Sequence, residues 1–415
     1  MFLSDTKQDI MEIQSEVAQL VAKELRAVIT PEEKQLIEKP PTSNLVAYES
    51  YLRGREEERK HLSYWEPDTA ALENARIHYK YALEIDSTFA QAYLGLARVY
   101  YGINYLDGYL LENFIDSALK LVNIALSYDD QLAEAYSFRG DYYRNKGDMA
   151  QAIKEYDKAI ELNPNDWFAY HEKGELYRHT DFVKSLGNYH KAAARSRGPE
   201  LPGILRSLSV MYGMAGFPEK RIYYSQEALN LDGDSVAYYI SLGSIEHFKK
   251  GYTIDSTDLR INLFLHLQYM KLGQYEEALF HIKKRVEIQQ SWLPGSHLHF
   301  GFLSLQMGDK QEAENHFNEV IDYYKKAHEL NRGGWIETIS YYHLASVYAI
   351  RGETAKAYEN LKQITLYKSV FIKSDPMFSR LKDEPEFLQI VRDMEIKYQA
   401  EHDRVRKWLE ENEQL

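Results

Sequence analysis

The stretch GDMAQAIKEYDKAIELNPNDWFAYHEKG, residues 147–174, decides the fold. Ala152, Tyr156 and Ala159 fall four and three residues apart, on one face of a helix, and Pro164 closes the segment. Around it, Tyr136, Gly140 and Tyr143 return as Tyr170, Gly174 and Tyr177, an offset of 34 residues. Small residues at Gly140, Ala152 and Ala159 let two helices approach closely, and the aromatic side chains fill the hollows between one helix pair and the next. The stretch therefore specifies helical hairpins repeated along the chain.

This frame resembles the tetratricopeptide repeat, a 34-residue helical hairpin. The resemblance implies an all-α chain, a right-handed superhelical solenoid of hairpins closed by a C-terminal capping helix. The same frame recurs at Tyr93, Ala97, Tyr100, Ala118 and Ala125, and at Leu205, Leu208, Tyr212, Gly216 and Ala228. It returns at Asn262, Leu265, Tyr269, Gly273 and Ala278, at His297, Gly301, Gly308, Ala313 and Phe317, and at Tyr341, Leu344, Tyr348, Gly352 and Ala357. Two places depart from it. Tyr48, Tyr51 and Leu52 reach Ala75, Tyr79 and Ala82 only across the insertion EEERKHLSYWE, and at residues 235–256 the second-helix signature from Phe248 comes early, which predicts a truncated hairpin. A further insertion, YLDGYLLEN, separates the helices of the second unit. The expected organisation is a helical segment at 1–43, a repeat array of about eight to nine units at 44–371, and a capping region at 372–415.

The flanks read differently. Ile10, Ile13, Val17, Leu20, Val21, Leu25 and Val28 form one helical stripe, and Thr30 and Pro31 open a second short helix. At the other end, Pro385 starts a long helix whose apolar seam (Phe387, Val391, Met394, Tyr398, Val405, Trp408) is interrupted at Glu401-His402. Such a helix serves either as a cap on the last repeat or as a homodimer contact. The segments DIMEIQSEVAQLVAKELRAVITPEEK with PPTSNLVAYESYLRGR, and SDPMFSRLKDEPEFLQIVRDMEIKYQAEHDRVRKWLEE, resemble parts of bacterial signalling and transcription regulators in which a TolB-like domain precedes repeats. That resemblance implies a partner-sensing role, with any upstream DNA-binding or nucleotide cyclase domain lying outside this chain.

Composition narrows the function. Fifty basic against 63 acidic side chains leave a net charge of -13, which disfavours nucleic acid and anionic membranes as partners. The most basic stretch, KAAARSRG at 191–198, reads as a helix end whose arginines satisfy the last carbonyls. With no cysteine in the chain, thiolate chemistry and cysteine metal sites are excluded. No secretory signal or membrane-length apolar run is present, so the expected location is the cytoplasm, with the periplasm as the alternative if an upstream anchor is missing.

No phosphate-binding loop, nucleotide fingerprint, nucleophile elbow or zinc-protease motif occurs, so no catalytic residue, cofactor or metal is expected. Asp232-Gly233-Asp234 reads as an inter-repeat turn. His297 and His299 stand two apart on a helix, roughly 200° around it, and do not converge on one ion. What remains is surface. Side chains between the framework positions of the first helices line the groove expected to hold a protein or peptide: Ser137, Asp141, Arg144, Asn145, His171, Glu175, Arg178 and Arg206. These positions lack the Lys and Asn set that the family uses to grip chaperone tails. The expected function is a non-catalytic protein-binding scaffold in bacterial signalling; the rivals are the regulatory half of a nucleotide cyclase and a homodimeric adaptor.

Overall fold

The computed structural model describes residues 41–60, 69–104, 114–289, 293–329, 335–364 and 372–412. Among the described residues there are 19 α-helices, one 3-10 turn and no strand. The predicted helices of residues 9–33, the tail of the first insertion at 61–66 and the second insertion at 105–113 lie outside them. The chain divides into two compact units, residues 1–135 and 136–415.

In the first unit, α1 (Leu45–Lys60) pairs with α2 (Thr69–Ile85), and α3 (Ala90–Asn104) with α4 (Phe114–Tyr128). The charged run of the insertion prolongs α1 to Lys60. Tyr79 of α2 is fully buried and lies against Gly54 of α1 and Gly95 of α3; a Cβ at these glycines would stand 2.8 and 2.5 Å from its ring. Its hydroxyl donates to Glu58 at 2.5 Å. Arg98 of α3 binds Glu58 of α1 at 2.7 Å and also pairs with Glu134 at 2.6 Å.

The second unit continues the pairing. α5 (Ala133–Asn145) precedes α6 (Met149–Leu162), and α7 (Trp167–Tyr177) packs on α8 (Phe182–Arg195). α9 (Leu201–Met214) packs on α10 (Pro218–Asp232), and α11 (Ser235–Leu242) on α12 (Ile245–Ile254). α13 (Leu259–Lys271) with α14 (Tyr275–Gln289), α15 (Pro294–Gln306) with α16 (Lys310–Glu329), and α17 (Trp335–Arg351) with α18 (Thr354–Leu361) complete the series. The architecture is a helical solenoid.

Local chemistry sets these boundaries. Asp148, Asp166, Asp181, Asp234 and Asp258 each cap the next helix by accepting backbone N–H groups. The hairpin of α11 and α12 is the truncated one, with helices of 8 and 10 residues; Gly243 at φ +74° ends α11 and Ser244 caps α12. Inside the hairpins one contact recurs. The ring of Tyr156, Tyr189 or Phe317 sits where Gly140, Gly174 or Gly301 would carry a Cβ, at 2.6, 2.7 and 2.6 Å. The glycine on the first helix exists because the aromatic on the second needs its space.

After a 3-10 turn at Pro376–Phe378, α19 (Pro385–Glu411) runs for 27 residues, about 40 Å. Its first half caps the array: Phe387, Ile390, Val391 and Met394 join Tyr358, Leu361, Phe378 and Leu381 in one apolar cluster. Its second half corrects the sequence reading. Val405 and Leu409 are fully buried, with Tyr398 and Trp408 beside them, against Phe182, Leu186, Tyr189, Leu208, Met211 and Tyr212. These residues pack on hairpins far from the last one instead of capping it, and contacts along the array are not all local.

Glu401-His402 is likewise no interruption. Glu401 accepts the Phe182 N–H at 2.8 Å, and His402 Nδ1 donates to the Ala215 carbonyl at 2.7 Å while its ring stacks on Phe217 at 4.8 Å. A helix that lands on two hairpin turns meets unpaired backbone groups, and a polar step in its apolar seam answers them.

Candidate partner-binding surface

The first helices α5, α7 and α9 carry the eight residues expected to face a partner. Six of them are half-buried and two are not on the surface. Ser137 is fully buried and donates to Asp166 Oδ2 at 3.1 Å. Asp141 is 3 % exposed and accepts the Tyr156 hydroxyl at 2.5 Å. The physical reason is the framework itself: a buried tyrosine needs an acceptor, and the residue after the glycine it packs on supplies one. Glu175, which follows Gly174, accepts the Tyr189 hydroxyl at 2.5 Å in the same way. Asn145 donates to the Asp141 carbonyl of its own helix at 2.8 Å.

Most of the remaining charged and polar groups tie one helix to another, and Arg178 stays within its own. Arg144 reaches Glu172 of α7 at 2.9 Å and Asp141 at 3.5 Å. His171 holds Glu172 through Nδ1 at 2.9 Å and the Ser207 hydroxyl of α9 through Nε2 at 3.1 Å. Arg178 pairs with Glu175 at 3.1 Å. Arg206 pairs with Asp232 and lies 3.7 Å from Asp234, which Arg260 also binds at 3.1 Å. The structure thus assembles one polar ladder across α5, α7 and α9. Glu172 and Ser207, absent from the sequence reading, are rungs of it. The steps Gly140-Asp141 and Gly174-Glu175, with Tyr156 and Tyr189 downstream, were the signal for the hydroxyl contacts; nothing in the spacing marks Glu172.

Burial and mutual charge divide the carboxylates. Burial, reinforced by Glu172, raises Asp141 to about 8. For Glu172, burial pushes upward but Arg144 and His171 overcome it, so it lies below the usual range. Glu175 is driven down to about 2: burial opposes this, and Arg178, His171 and the Tyr189 hydroxyl prevail. His171 is raised despite burial, through its bond to Glu172 and the charge of Glu175. A carboxyl whose folded pKa exceeds its unfolded value weakens the fold as pH rises through that interval. Asp141→Asn keeps an acceptor for Tyr156 and removes this titration. The variant is expected to lose less thermal stability than the wild type between pH 6 and 9, read by circular dichroism melting at each pH.

Other sequence expectations resolve locally. Gly233 is a left-handed helix end at φ +75° and Asp234 caps α11, as an inter-repeat turn requires. His297 and His299 diverge: His297 Nδ1 meets His316 Nδ1 at 2.9 Å, while the His299 ring lies 4.6 Å from that of His266. Arg195 donates to the Pro164 and Lys191 carbonyls at 2.7 and 3.1 Å, the helix-end role read from KAAARSRG. Among the described residues no cluster of three or more metal-ligating side chains occurs, and no helix is long and apolar enough to cross a membrane.

The rungs on α5 and α7 lie within two overlapping matches to family models, each described as tetratricopeptide repeat, at residues 133–166 and 155–194. Residues 133–194 carry tetratricopeptide repeats. Tetratricopeptide repeats are protein-interaction scaffolds, and the chain is one of that kind. No curated protein matches the sequence.

Several solved structures align. A tetratricopeptide repeat protein of Thermus thermophilus, TTC0263, shares 15 % identity over 47 % of this chain and 96 % of its own, with a TM-score of 0.39. PilF of Pseudomonas aeruginosa shares 16 % over 59 % and 96 %, at 0.34. A human IFIT1 dimer with PPP-AAAA shares 17 % over 78 % and 68 %, at 0.41.

Proposed function

We propose that the tetratricopeptide array holds a protein or peptide partner on the face formed by α5, α7 and α9, as the partner-sensing part of a bacterial signalling or transcription-regulatory system. The observation that carries the reading is the ladder. Arg144, His171, Arg178 and Arg206 stand half-exposed on three successive first helices, each held by a neighbouring group, so the surface is ordered before a partner arrives. Pre-ordering lowers the entropic cost of binding. Because the cations are already paired, the face offers mixed charge and hydrogen-bonding groups; a partner with both polar and apolar groups suits it better than a bare anionic tail. The chemistry proposed for the array is recognition, without a reaction of its own.

The test compares retained proteins. Purified chain is immobilised beside a variant carrying His171→Ala, Arg178→Ala and Arg206→Ala and a control carrying Tyr223→Ala, an exposed residue of α10. All are exposed to lysate of the source cell after melting curves establish that they fold. A stoichiometric partner kept by wild type and control but lost by the triple variant is expected. A partner kept equally by all three places recognition elsewhere.

A further inference from the structure

The second half of α19 lies on hairpins that also make contacts of their own. Tyr189 packs on Gly174, the Ser185 hydroxyl donates to the Gly174 carbonyl at 2.9 Å, and Ser209 bonds Ser225 at 2.6 Å, all within the hairpins. Asp181 caps α8 through the Lys184 N–H at 3.0 Å, so that helix keeps its own cap whether or not Glu401 occupies the Phe182 N–H. The seam is a narrow set of contacts. Val405 and Leu409 are buried, Tyr398 meets Phe182 with ring centres 6.5 Å apart, and Trp408 meets His190 at 5.9 Å. Arg404 bridges Glu401 and Asp181, at 3.1 Å to the latter.

The two halves of α19 are held by separate apolar clusters. Between them Glu395, Ile396 and Lys397 are exposed, Ile396 at 67 %. A helix gripped by two separate clusters releases one grip while the other persists, because each contact opens with its own local free energy.

We propose that the seam on α8, α9 and α10 is a helix-docking site with an exchangeable occupant. Residues 398–411 fill it within the chain, release without unfolding the repeats, and are then replaced by the same segment of a second copy. The ligand chemistry is set by what the seam already holds. It is an amphipathic helix with apolar or aromatic groups at Tyr398, Val405, Trp408 and Leu409, a carboxylate at Glu401 for the Phe182 N–H and an imidazole at His402 for the Ala215 carbonyl.

The probe is a fluorescein-labelled peptide of residues 396–412, followed by anisotropy with the full chain. Val405→Asp with Leu409→Asp disables the internal helix; a milder variant, Glu401→Gln with Arg404→Glu, removes only the ion pairs that Arg404 makes with Glu401 and Asp181. An intramolecular competitor acts at an effective concentration on the order of millimolar, so the opened chain is expected to bind the peptide at least about tenfold more tightly than wild type. The opened chain should also keep its helical signal and cooperative melting. No binding by either variant, equal binding by wild type, or loss of cooperative melting in both variants would overturn the proposal, the last because the segment would then be part of the core.

Discussion

Gly174→Val is expected to lower stability by roughly 2 kcal/mol or more, because the cost of overpacking the core outweighs the few tenths of a kcal/mol of helix propensity that valine gains over glycine. An added Cβ stands 2.7 Å from the Tyr189 ring, which is fully buried and anchored by its hydroxyl on Glu175. The ring cannot step aside without breaking that bond or entering the neighbouring hairpin. Gly187, in the partner helix α8, has nothing within 4 Å of its would-be Cβ. There Gly187→Ala should stabilise by up to about 1 kcal/mol, because only the propensity term acts. Urea midpoints of the two variants should therefore move in opposite directions. Combining Gly174→Val with Tyr189→Leu should recover part of the loss, a coupling read from the double-mutant cycle. A Gly174→Val chain as stable as wild type would show that the ring is not a fixed strut.

Stability is also expected to fall steeply as pH drops from 6.5 to 4.5, before most carboxylates titrate. His266, His281 and His190 are each held down to about 4, in every case chiefly by burial. Arg285 adds to this at His266, Lys284 at His281 and Lys220 at His190. The sign follows from linkage. Below 6.5 the unfolded chain binds protons that the folded chain refuses, so stability present above that value is lost as pH falls. For His266, wholly buried and donating through Nδ1 to the Ala278 carbonyl at 2.9 Å, the full difference corresponds to roughly 3 kcal/mol. His171 works in the opposite direction, since its raised value adds stability as it protonates. Denaturation at pH 7, 6 and 5 should show the loss, and His266→Gln should flatten the slope whatever it does to stability at pH 7. An unchanged slope would mean that His266 does not stay neutral in the fold.

Both expectations rest on features that the sequence displays unequally. The glycine and aromatic positions were legible because a close helix approach needs a small residue opposite a large one, and Gly140 with Tyr156 and Gly174 with Tyr189 stand at nearly the same separation, 16 and 15 residues. The truncated hairpin was legible too, since the early Phe248 signature shortens the frame, and α11 and α12 are short. The polar ladder was only half legible. Its residues lie on the predicted helices, but whether a polar side chain faces solvent, a tyrosine hydroxyl or the next helix depends on rotations of well under one turn. Periodicity does not resolve these, so Ser137 and Asp141 were assigned to a surface from which they are buried.

What the sequence by itself determined is therefore the local unit. Paired helices, their caps and the small-against-aromatic contact inside each pair all arise between residues a few turns apart, and each is written as a spacing. The tertiary structure alone decided where α19 goes. Glu401 meets Phe182, His402 meets Ala215 and Arg404 meets Asp181 across roughly two hundred residues, and that reach depends on small rotations summed over every intervening hairpin. The same apolar stripe would serve a cap, a second chain or a distant repeat. Its destination is fixed by which surface the accumulated turn of the array brings within reach, a quantity that no single repeat contains.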